Sequence, residues 1–128
     1  MKLPLVVTAL LALIACAHPP QLATSLELRK EADNAIRVKL KITNLEDRVT
    51  VPIAIDLAGQ TETDGRWDQA STLLHPAAFV LNRKEQREIT KLWRVQADAV
   101  RTTLVVREQE TGNLLKSEKA EKSFGAPK

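Results

Sequence analysis

Ile36, Val38, Leu40 and Ile42 alternate with Arg37, Lys39, Lys41 and Thr43. This period of two constrains the fold more than any other feature, because a strand sends successive side chains to opposite faces. The four aliphatics share one face and the three cations and a threonine share the other. One dry face and one wet face describe an antiparallel sheet packed on one side against a second layer.

Asn44, Leu45, Glu46 and Asp47 then read as a turn, and a second alternating run puts Val49, Val51, Ile53, Ile55 and Leu57 on one face. Pro52 has no N–H for a ladder and suggests an edge or a bulge. The two runs, adjacent in sequence, are expected to form an antiparallel pair. Residues 58–70, with Gly59, Thr61, Asp64, Gly65 and Asp68, read as a polar loop in which Asp64-Gly65 is a turn signal. Further strand candidates are 25–29, 73–75, 77–81, 89–95 and 100–107, and then 114–119 after the turn Thr111-Gly112-Asn113. Helix competes only at 82–89 and 114–122.

About seven short strands separated by turns predict an all-β fold, an immunoglobulin-like antiparallel β-sandwich. Segments 25–29 and 114–119 are the expected sheet edges, and Lys116, Glu118 and Lys119 would protect the second from unwanted pairing. Trp93 shares a strand face with Ile89, Lys91 and Val95 and is expected to pack between the sheets.

The chain opens with Met1 and Lys2, then an apolar run over 3–15 broken only by Pro4 and Thr8. Spanning a bilayer takes about 20 apolar residues, so the run fits a secretory signal peptide better than a transmembrane helix. It closes with Leu13-Ile14-Ala15-Cys16, which holds the chain's single cysteine and resembles the lipobox of bacterial lipoproteins. That resemblance implies cleavage before Cys16, diacylglycerol on its sulfur and a further acyl chain on the new amino group. Ala17 stands where the family's sorting rule uses aspartate for inner-membrane retention, which favours the outer membrane. The expected organisation is a signal peptide over 1–15, lipidated Cys16 and a tether over 16–23, a sandwich over 24–122 and a frayed tail over 123–128. With its one cysteine lipidated, the domain has no internal disulfide.

Composition narrows the function classes. Removing 1–15 takes away Lys2 and no acid, leaving 18 of the 19 Lys and Arg against 16 Asp and Glu, too even a balance for a nucleic-acid partner. The two Trp, two Phe and absent Tyr are too few for a stacking platform. His18 lies beside the anchor, and His75 precedes Pro76 at a strand boundary, an ordinary structural position. No residue set has the spacing of a zinc site. Asp56, Glu62, Asp64 and Asp68 lack the acidic ladder of an EF-hand, and no nucleophile elbow or phosphate loop occurs. The expectation is a protein that is not an enzyme, with no catalytic residue, metal, cofactor or small-molecule substrate.

Two stretches resemble the N-terminal immunoglobulin-like domain of periplasmic pilus chaperones. One is 36–51, an alternating strand ending in Thr43-Asn44, a turn with Asp47-Arg48, and the next strand. The other runs from His75-Pro76-Ala77-Ala78-Phe79-Val80-Leu81 through Gln86-Arg87-Glu88-Ile89 to Arg101 and the segment ending in Arg107-Glu108. The resemblance implies a sandwich and capture of an extended subunit segment, and it puts Arg29 or Lys30 near the first of the chaperones' two carboxylate-binding basic residues. Those chaperones have two domains, whereas this chain has room for one. In plan it is equally similar to small accessory lipoproteins of the envelope and to the one-domain chaperone-like proteins of curli systems.

Two functions are therefore expected. In the first, a chaperone-like module binds a secreted or fibre subunit by strand addition to a sheet edge, with Arg29 and Lys30 as candidate contacts. In the second, an accessory lipoprotein contacts a larger envelope complex through its loops, with Arg66 and Trp67 as the anchor; Trp67 could instead cover the open end of the sandwich. An immunoglobulin-like proteinase inhibitor is a minor third reading. In either main case the partner is an envelope or secreted protein, and the N-terminal lipid holds the domain at the membrane, facing the periplasm or the cell surface.

Overall fold

A computed structural model describes residues 20–124. The signal peptide, the lipobox with Cys16, and His18 lie outside the described residues. Eight strands follow in order: β1 (Leu22–Ala32), β2 (Ala35–Asn44), β3 (Ile53–Thr63), β4 (Arg66–Trp67), β5 (Ser71–Leu74), β6 (Gln86–Arg94), β7 (Ala99–Glu108) and β8 (Leu114–Ser123). They form an immunoglobulin-like antiparallel sandwich. The small sheet has the order β1-β2-β6; the large sheet has the order β4-β3-β7-β8, with β5 also pairing β3. Neither helix competitor forms: 114–122 lies in β8, and 82–89 is a turn leading into β6.

The alternating runs build the core. Val38, Leu40 and Ile42 of β2 face Ile53, Ile55 and Leu57 of β3 and Val100, Leu104 and Val106 of β7, all essentially inaccessible. Nine such aliphatics, at about 1.5–3 kcal/mol each for full burial, supply the main driving force. Trp93 packs against this core as expected.

One expectation is overturned. β2 and β3 do not pair with each other; β2 pairs β1 and β6, while β3 pairs β4, β5 and β7. Residues 45–52 carry the chain from one sheet to the other, so Val49 and Val51 are exposed rather than part of the β3 face. The cause is Asn44, which is fully buried. Its Nδ2 donates to the carbonyls of Arg48 (2.6 Å) and Asn82 (3.0 Å), and its Oδ1 accepts the Glu46 N–H (3.0 Å). Thr50 continues the tie: its N–H donates to the Leu81 carbonyl (2.9 Å), and its Oγ1 accepts the Leu81 N–H (2.9 Å). Polar groups at a sheet junction thus take up backbone groups that a hairpin would have paired.

The polar loop expected over 58–70 is also corrected. β3 continues to Thr63, and Asp64 (φ 53°) and Gly65 (φ 78°) turn it into β4. Two successive positive φ angles are the geometry of a tight primed hairpin turn, which Asp-Gly favours. At its end the sandwich exceeds its expected limits: Leu22 is buried in β1, Ser123 closes β8, and the Phe124 N–H donates to the Asp98 carbonyl (2.7 Å). The chain therefore enters the domain at one end, beside Asn44, and Phe124 lies at the other.

Candidate functional site

Sheet edges are where this fold leaves backbone hydrogen-bonding groups open. β1 and β8 are edges, as expected, and lie side by side on one flank; Thr24 Oγ1 donates to Glu118 Oε2 across them (3.3 Å). Lys116, Glu118 and Lys122 stand opposite the core residues Val106, Leu104 and Val100, so β8 turns charge toward the interior along that flank. Such inward charges oppose pairing with a stray strand.

The other flank is different. The large sheet ends there in the four-residue β5, with a register shift at Leu57/Ala58, and in a single bridge between Ile53 and Phe79. The small sheet ends in β6, nine continuous residues that pair only with β2 among the described residues. Register puts Arg87, Ile89, Lys91 and Trp93 on the core side, opposite Ile42, Leu40, Val38 and Ile36. The Arg87 guanidinium lies 4.5 Å from the Phe79 ring centroid and donates to Glu85 Oε2 (3.2 Å). Lys91 is exposed and takes part in no ion pair among the described residues.

The four predicted contact residues do not converge. Arg29 stands opposite Arg37 on the outer face of the small sheet and lines a shallow cleft of about 180 Å³ with Glu27, Glu31 and Glu88. Lys30 projects the other way, 3.8 Å from Asp33 and 5.8 Å from the Phe124 ring centroid, at the rim of a cleft of about 400 Å³ that also includes Asp98 and Gln96. Arg66 is exposed at the β3–β4 hairpin. Trp67 is half-buried and pairs with Glu62, so it belongs to the outer face of the large sheet, where the Arg101 guanidinium stacks 4.0 Å from its centroid. It neither stands free in a loop nor caps the sandwich.

Two of the four carboxylates flagged from sequence, Asp68 and Asp56, have local side-chain partners. Asp68 accepts the Thr61 N–H (2.7 Å) and hydroxyl (2.8 Å), and these bonds hold its carboxyl below the usual aspartate range. Asp56 meets His75 Nδ1 on the outer face of the large sheet. Glu85, not flagged from sequence, accepts the Asn82 N–H (2.7 Å), which with Arg87 keeps it below the ordinary glutamate value. Sequence reading also missed the β6 edge. The available signal was Lys91, a cation set between Ile89 and Trp93 on the core-directed face of the strand.

No family model and no curated protein matches the chain. Solved structures are similar in fold. A Bordetella pertussis protein assigned as ApaA is 18% identical, with a TM-score of 0.54 over 85% of this chain and 96% of that one. The CARDB domain of the PF1109 protein from Pyrococcus furiosus, solved in complex with di-metal ions, is 15% identical, with a TM-score of 0.55 over 81% of this chain and 92% of that domain. The alkylpurine DNA glycosylase AlkC of Pseudomonas fluorescens is 14% identical, with a TM-score of 0.57 over 87% of this chain but only 33% of its own length.

Proposed function

We propose that this chain is a membrane-anchored, protein-binding module of the cell envelope, a chaperone-like lipoprotein that takes an extended segment of a secreted or fibre subunit onto β6. The observation that carries this reading is the unbroken outer edge of β6 beside the fragmented edge of the large sheet. An added strand gains main-chain hydrogen bonds there, and its alternate side chains meet Lys91 and Arg87 on one side and Thr90 and Leu92 on the other. Like the inward charges of β8, Arg87 and Lys91 oppose an uncharged stray strand, and unpaired Lys91 favours a segment with an acidic side chain at the matching position.

The anchor is lipidated Cys16, and Ala17 favours the outer membrane. Binding through the loops had its basis in Trp67 as a loop anchor; with Trp67 on β4 beneath Arg101, edge capture is the better-supported mode.

Photo-crosslinking in the native envelope tests the reading. A crosslinker at Leu92 is expected to capture one secreted subunit through an extended segment, the same group at Ser25 on β1 is not, and Lys91→Glu removes the Leu92 product. Crosslinks confined to hairpin loops would overturn it. Replacement of Cys16 by serine is expected to shift the protein from the membrane to the soluble fraction; retention at the membrane would overturn the anchor.

A further inference from the structure

Six large apolar side chains are exposed in the described domain, and five of them lie at one end of the sandwich. Leu45, Val49 and Val51 belong to the segment between β2 and β3, Val80 precedes the buried Leu81, and Leu114 opens β8; they are 41 to 56% exposed. Only Leu92 lies elsewhere. The registers fix the common location: Leu22 is opposite Asn44, Ile53 is opposite both Glu108 and Phe79, and the β7–β8 hairpin closes beside Pro52 through the bond from Gln109 N–H to the Pro52 carbonyl (2.9 Å).

The chain also enters the domain at this end. The Leu45 N–H donates to the Gln21 carbonyl (3.0 Å), which holds the chain at Gln21 against the apolar cluster. Cys16 is five residues before Gln21, and an extended chain gains at most about 3.6 Å per residue, so the two lie within about 18 Å of each other. If Cys16 carries acyl chains, no path takes this end far from the lipid headgroups.

We infer that this end of the sandwich is a lipid-docking surface, with Leu45, Val49, Val51, Val80 and Leu114 resting in the headgroup region of the bilayer that holds Cys16. The inference rests on the lipoprotein reading. Clustered apolar side chains mark an interaction surface, and burial at a membrane boundary stabilises in proportion to apolar area. The charges around the cluster are mixed, with Asp47 facing Arg83 at 3.7 Å and Arg48 paired to Glu46 at 3.1 Å. Docking is therefore driven by apolar contact and is insensitive to lipid charge. It stands the strands upright on the membrane and leaves the β6 edge reachable from the side.

The test uses the full lipidated protein, with lipidation of Cys16 first verified by mass spectrometry, in vesicles of phosphatidylcholine alone and with added phosphatidylglycerol. Lipidation consumes the native thiol, so single cysteines introduced by Val49→Cys, Val51→Cys or Gln96→Cys take a nitroxide label uniquely. Labels at 49 and 51 are expected to lose accessibility to a water-soluble relaxant and gain it to oxygen, equally in both vesicles, while a label at 96, at the opposite end, stays aqueous. Adding Leu45→Glu with Val80→Glu is expected to return the label at 49 to water without releasing the protein from the vesicle. Aqueous labels at 49 and 51 on verified lipidated protein overturn the docking alone, as does protection that appears only when a second envelope protein is added. An unmodified Cys16 overturns the anchor and the docking with it.

Discussion

The indole of Trp93 occupies the place where a side chain of Gly59 would begin: a Cβ on Gly59 would lie 2.7 Å from Trp93 Cη2, and 2.9 Å from both Trp93 Cζ2 and the Leu73 Cδ1 methyl. The ring reaches across the sandwich, from β6 of one sheet to β3 of the other. Gly59→Ala is expected to cost about 1–3 kcal/mol through overpacking. In urea unfolding, combining it with Trp93→Leu should cost less than the sum of the single changes. Strict additivity would show that the ring does not rest on Gly59.

Asn44→Ala leaves the Glu46 N–H and the Arg48 and Asn82 carbonyls without their side-chain partner. Stranded buried polar groups cost about 1–3 kcal/mol each where water cannot replace the bond, so the total loss should be at least that of one group. Amide exchange should quicken across residues 45–52 and 80–85. A change confined to residues near 44 would count against Asn44 as the junction of the two sheets.

Acid should loosen the β3–β4 hairpin and the turn before β6. The Asp68 and Glu85 carboxyls sit below their ordinary ranges because of hydrogen bonds they accept from the backbone N–H groups of Thr61 and Asn82. A folded-state value below the unfolded one means that the stabilisation is full above the unfolded value and is lost as pH falls through the folded one, a window below about pH 4. Asp68→Asn should lower the urea midpoint at pH 7 and flatten its decline in acid. An unchanged acid slope would remove Asp68 from the account.

Arg101→Ala uncovers one face of the Trp67 ring and also removes the bond to Glu121 (3.2 Å). An exposed cation–π contact is worth about 0.5–1 kcal/mol, so stability should change little. Trp67 emission, isolated in a Trp93→Phe background, should move to longer wavelength. An unmoved spectrum would mean that the guanidinium does not cover the ring.

The core and the sheet edges at β1 and β8 were legible because alternation is local: each aliphatic of β2 and β7 declares its face through its neighbours. Pairing was not. Residues 36–43 and 49–57 look like a hairpin, and contacts distant in sequence, from Asn44 to residue 82 and from Thr50 to Leu81, together with the bond from Asn44 to residue 48, send them to different sheets. Gly59 and Thr61 read as loop because glycine and threonine suit turns, whereas Gly59 stays in β3 to make room for Trp93. The four candidate contacts were chosen one at a time by residue type. Whether they share a surface depends on strand parity, which sends adjacent Arg29 and Lys30 to opposite sides of β1, and on the sheet to which each strand belongs.

Because the chain enters beside Asn44 and Phe124 sits at the far end, a pull applied between Gln21 and Phe124 acts along the strands. β1 would be drawn lengthwise past β2, and β8 past β7. Strands of ten or eleven residues span about 35 Å, and in this geometry all their rungs share the load instead of parting one after another. A domain pulled in this way should rupture at high force in a single step, a behaviour that single-molecule stretching through these two points can read. Such a domain could bear tension between a membrane and whatever it holds, and would open when the weaker of the two outer ladders slides.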